Sequence, residues 1–126
     1  MKKLLITTSF LFTVFFSPLS SAVDAKGTIK EIQICGTGQQ SGNQWIRVLQ
    51  FKIADKWFAT WADNYGTTNS DLDNSISSSV LMMAYSQNLI VEVRATGGWH
   101  AYHEKCGVKS GEIFHGAAGD YIRLVK

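Results

Sequence analysis

SDLDNSISSSVLMMAYSQNLIVEVRA, residues 70–95, changes once from helical to extended periodicity, and that change decides where the helix of this chain sits among its strands. Leu72, Ile76, Val80 and Met83 recur at helical spacing, while Ser75, Ser78 and Ser79 suggest a small or solvated opposite side. Ser70, with Asp73 three residues on, resembles a capping box with the shorter acid in place of Glu. Asn88 can end the helix, because Asn tolerates the left-handed conformation. The pattern predicts a helix over residues 70–87. A strand rich in branched residues follows over 89–95 and is closed by Gly97-Gly98.

Working outward from the helix, the upstream chain reads as three strands. Residues 28–35 alternate, with Ile32 and Ile34 on one face and Glu31 and Gln33 on the other. Residues 36–43 form a Gly, Ser and Gln-rich loop. In residues 44–53, Leu49, Phe51 and Ile53 are expected to face in and Gln50 and Lys52 out. Ala54-Asp55 is a tight connection to a returning strand over 56–61. Downstream, residues 99–103 return from the glycine turn, and residues 112–115 and 121–125 look like a final hairpin around 116–119.

Three strands, one helix, then two or three strands is a mostly β chain with one central helix. That is the element order of an OB-like antiparallel barrel of five to six strands. A helix packed on a curved sheet of another topology gives the same string.

Residues 1–22 have the layout of a signal peptide. Lys2 and Lys3 precede an uncharged run from Leu4 to Phe16, then Pro18 and the small residues Ser20, Ser21 and Ala22. The run is too short to span a bilayer comfortably, and no other stretch of 18 apolar residues follows. The expectation is export to the periplasm or medium, with a single domain over residues 23–126. Two of the 12 Lys and Arg lie in the leader, so the remaining chain balances ten bases against ten acids. A neutral chain with no run of like charge is a poor nucleic-acid binder and lacks a polybasic membrane patch.

Cys35 and Cys106 are the only cysteines, one near each end of the exported region. In an oxidising compartment they are expected to form one disulfide.

All four tryptophans, Trp45, Trp57, Trp61 and Trp99, lie beyond the leader, and flat indole faces stack on sugars as readily as they fill cores. In a regular third strand Trp57, Ala59 and Trp61 point one way and Phe58 and Thr60 the other. Such a two-faced apolar strand suits a barrel or a subunit interface. Candidate ligand-binding residues are Ser41, Trp45, Trp61, Tyr65 and Trp99.

The three histidines, His100, His103 and His115, share one short window with Glu104 and Cys106. That set is the alternative site, for a metal ion such as zinc, if the segment is a turn. A nucleophile elbow is absent, Gly36-Thr37-Gly38 has no following helix, and Asp71 and Asp73 are explained by the helix start. The expected protein is therefore not an enzyme and needs no cofactor.

The leader, the chain of about 100 residues after it, the long-range cysteine pair and the strand-rich pattern resemble the binding (B) subunits of bacterial AB-type toxins. The helix at residues 70–87, followed directly by Leu89-Ile90-Val91-Glu92-Val93, is similar to the helix-then-strand segment of subtilase-cytotoxin and pertussis-like B subunits. The resemblance implies a homo-oligomer, a ring of five, that binds a cell-surface glycan or glycoprotein and partners an enzymatic A subunit. The resemblance implies a sialic-acid site built from a Ser and an aromatic around the early strands, for which Ser41 with Trp45 is the nearest counterpart here. The alternatives are a small periplasmic or secreted metal-binding protein or enzyme centred on the histidines, and an exported inhibitor acting through a protein interface.

Overall fold

A computed structural model describes residues 23–40, 44–65, 72–73, 75–114 and 118–126, with the backbone alone for 23–24, 39–40, 44–45, 62–65, 72–73 and 75. Strand β1 (Val23–Gln40) leads to β2 (Gln44–Ile53) and β3 (Lys56–Tyr65). The two-residue strand β4 (Leu72–Asp73) precedes helix α1 (Ser75–Ser86). Then come β5 (Ile90–Ala95), β6 (Gly97–Gly98), a 3-10 helix (Ala101–Cys106), β7 (Glu112–Ile113) and β8 (Tyr121–Val125).

The strands form one curled sheet in the order β6-β7-β3-β2-β1-β5-β8, with β4 on β3. The long β1 curls it. Its first part, through Thr28, pairs with β5, its remainder pairs with β2, and a register shift between Ile29 and Glu31 lies just past the change of partner. β7 and β8 are consecutive in the chain yet lie near opposite ends of the sheet. The β-rich class with one central helix is as expected; the connections at the C-terminal end are not. β7 runs parallel to β3, pairing Phe58 with Glu112 and Ala59 with Ile113, while β8 pairs antiparallel with β5. Residues 112–125 are thus no hairpin, and after Gly98 the chain turns into a 3-10 helix rather than a returning strand.

The concave side of the sheet packs on α1. Leu49, Phe51, Ile53 and Phe58 meet Val91 and Val93 there, with the Phe51 and Phe58 rings stacked at 5.6 Å. The helix contributes Leu81 and Ala84, both fully buried. This corrects the expected stripe: Ile76 is 81% exposed, Met83 is exposed, and Leu72 belongs to β4. The helix also starts later than Ser70, at Ser75.

Its end is as expected. Asn88 has φ 55°, its N–H donates to the Tyr85 carbonyl at 3.3 Å, and the Leu89 N–H donates to the Ala84 carbonyl at 2.9 Å. That double bond is a Schellman cap, which satisfies the last helical carbonyls and turns the chain into β5.

Candidate functional site

The other face of β1–β3 is built from three cross-strand rows: Cys35–Val48–Trp61, Gln33–Gln50–Ala59 and Glu31–Lys52–Trp57. Side chains alternate along each strand, so all three rows point away from α1. The first two are covered by the 3-10 helix. Cys106 at its end is bonded to Cys35, as expected, with the Cα atoms 5.9 Å apart. Gln50, expected to face solvent, is instead fully buried beneath this cover. Its Nε2 donates to the His103 carbonyl at 2.7 Å, and its Oε1 accepts from Gln33 Nε2 at 2.6 Å. A buried amide needs such partners, so Gln50 holds the helix in register on the sheet.

The cover is aromatic. The buried His103 ring lies 4.4 Å from Tyr102, 4.8 Å from Trp99 and 5.8 Å from Trp61, and Tyr102 stacks on His100 at 5.2 Å. Trp99 Nε1 donates to the Val108 carbonyl at 3.1 Å. Burial raises the Tyr102 hydroxyl above its ordinary pKa. Of the sequence-predicted candidates, Trp61 and Trp99 therefore come together, but as parts of a packed cluster whose rings face one another.

Trp45 and Tyr65 are opposite each other in the β2–β3 ladder, and Ser41 lies outside the described residues. Of the alternative metal set, His100 and His103 are stacked at 5.9 Å, and His115 lies outside the described residues. Among the described residues no three His, Cys, Asp or Glu side chains group as metal ligands.

The third row is left open, and there the structure forms a site that sequence reasoning missed. Trp57 is half-buried and stands between two clefts, sharing both with Ser110. The first cleft, about 330 Å³, is lined by Asp55, Lys56, Trp57, Ser110, Gly111 and Glu112. The second, about 310 Å³, runs between Glu31, Gln33 and Trp57 on the strands and residues 106–110 at and beyond the end of the 3-10 helix. Both fall at the lower end of the range for small-ligand sites.

Lys52 Nζ lies 5.7 Å from the Trp57 ring centroid and is held by Glu31 at 3.1 Å, so a cation–π contact and an ion pair flank the indole within the row. Gly107, at φ 94°, ends the 3-10 helix and sends the chain along the cleft wall. Burial raises the Glu112 carboxyl above its ordinary pKa.

Such an arrangement offers a flat apolar wall edged by carboxylate, hydroxyl, amide and ammonium groups, which is what a polar ring with apolar faces requires. Compared with known families, curated proteins and solved structures, the chain matches none.

Proposed function

We propose that this is an exported, non-enzymatic binding protein whose ligand is a glycan, held against Trp57 by the two clefts on either side of it. The observation that carries the reading is the sharing of one indole by two polar-rimmed clefts. Sugar rings present apolar C–H faces to stack on an indole and hydroxyls for Asp55, Ser110, Glu112 and Gln33 to bond. The formed disulfide fits an oxidising compartment. No helix among the described residues is long and apolar enough to cross a membrane.

One feature supports an OB-like barrel of toxin B-subunit type: the helix stands among the strands, between β3 and β5. The same reading extends to a ring of identical chains serving an enzymatic A subunit. It is supported by the helix, which carries no charge and exposes Ile76, Met82, Met83 and Tyr85.

A glycan array on the purified, disulfide-bonded protein and on its Trp57→Ala variant tests the site. Loss of a stacked indole is expected to weaken binding by about 1–3 kcal/mol, roughly a fivefold to 150-fold change. Undiminished binding by a folded Trp57→Ala variant, or no binding by the wild type, overturns the assignment.

A further inference from the structure

We infer that the glycan is uncharged where it meets Trp57 and at least two sugar rings long, and that Asp55 and Glu112 turn acidic sugars away. The inference rests on the glycan reading above and concerns which glycans the clefts admit.

The charges around Trp57 argue for it. In the first cleft two carboxylates, Asp55 and Glu112, face one ammonium, Lys56. The partly buried Glu112 carboxylate is already poorly solvated, so a further anion beside it is unfavourable. In the second cleft Glu31 is tied to Lys52, which lines neither cleft, and Lys109 is the one lining ammonium group. Across both linings three carboxylates, Asp55, Glu112 and Glu31, face two ammonium groups, Lys56 and Lys109, so the pair of clefts holds no net attraction for an anion. Nor does an arginine line either cleft among the described residues, and guanidinium is the group that grips a carboxylate or sulfate with two parallel bonds.

Length follows from connectivity. Trp57 and Ser110 belong to both clefts, so a ligand that crosses the indole enters both. A single sugar fills one side and leaves the other to water.

The experiment is a set of titrations on the disulfide-bonded protein with matched pairs: neutral oligosaccharides beside their sialylated forms, and disaccharides beside their monosaccharides. The neutral member of each pair is expected to bind about tenfold more tightly than the acidic one, and the disaccharide more tightly than the monosaccharide. The neutral preference is expected to shrink as salt is raised, because screening weakens the repulsion between charges. It is also expected to shrink in the Asp55→Asn, Glu112→Gln double variant. Should that variant fail to fold, the salt series on the wild type still decides.

Equal or tighter binding of the acidic members, or of the monosaccharides, overturns this inference and leaves the glycan reading standing. Binding of none of the pairs overturns both.

Discussion

Gly111 lies against both the backbone of β3 and the ring of Trp99. A Cβ built there would fall 2.6 Å from the Trp57 carbonyl oxygen and 2.7 Å and 2.9 Å from two Trp99 ring carbons. Neither a strand backbone nor an indole held by Val108 can step aside freely. Gly111→Ala is therefore expected to lower stability by about 1–3 kcal/mol and to disturb both clefts. Gly98→Ala, with nothing within 4 Å of its added carbon, is expected to stay within about 0.5 kcal/mol of wild type. Thermal unfolding of the two variants side by side settles the point, and equal midpoints would contradict it. At this scale the sequence reveals residue types better than their neighbours. Four tryptophans are visible as candidate platforms, but only the packing separates Trp57 at an open row from Trp61 and Trp99 in a closed cluster. The deciding neighbours, residues 106–112, lie some fifty positions away in the chain, beyond the reach of periodicity.

Helix α1 is legible as an element and misleading as a surface. Its ending at Asn88 depends on local backbone chemistry and is read correctly from one residue. Its buried face depends on how the helix leans on the sheet, which spacing alone does not give. Leu81 and Ala84 take the core side, and Ile76 and Met83, equally apolar, do not. Leu81→Ala is expected to cost about 2–5 kcal/mol, while Ile76→Ser changes the stability of a single chain by less than about 0.5 kcal/mol. Chemical denaturation measures both; a large loss in Ile76→Ser monomers would show the helix to be turned the other way.

β8 supplies a second test at this scale. The Glu92 carboxylate on β5 accepts from the Tyr121 hydroxyl at 2.6 Å and pairs with Arg123 at 2.6 Å. Those two bonds hold its pKa below the ordinary carboxylate value of 4.5. A depressed carboxylate contributes its stability above the unfolded-state value and loses it as pH falls through the folded one. Hydrogen exchange in residues 121–125 should therefore speed up, relative to β2, once the solution falls below about pH 4.5. Unchanged relative protection at pH 2 would contradict it, as would an equal acid effect in Glu92→Gln.

At the scale of the molecule, the sheet has a helix on one face and an aromatic, disulfide-tied segment on the other. That three long strands precede one helix and then β5, and that the cysteines pair, could be read from the sequence because each rests on short-range pattern and on compartment chemistry. The second cover could not, since a strand apolar on both faces predicts a partner without saying which segment supplies it. Here the chain supplies it through residues 99–114. The disulfide closes a separation of 71 residues, for which chain entropy alone implies about 4 kcal/mol. Reduction, or a Cys35→Ser, Cys106→Ser pair, should lower stability by that order. It should also raise exchange in residues 101–110 before the β1–β2–β3 ladder opens. Simultaneous loss of both regions would show that the cover and sheet form one cooperative unit.

The claim on which everything functional depends is that Trp57 is the contact residue. Each tryptophan side chain gives one indole N–H signal in a nitrogen-proton correlation spectrum, assignable by single substitution. Titrating the tightest-binding array glycan into the disulfide-bonded protein should shift the Trp57 signal most, with Trp61 and Trp99 moving little. A spectrum in which Trp57 stays still while another indole moves would contradict the account and relocate the site.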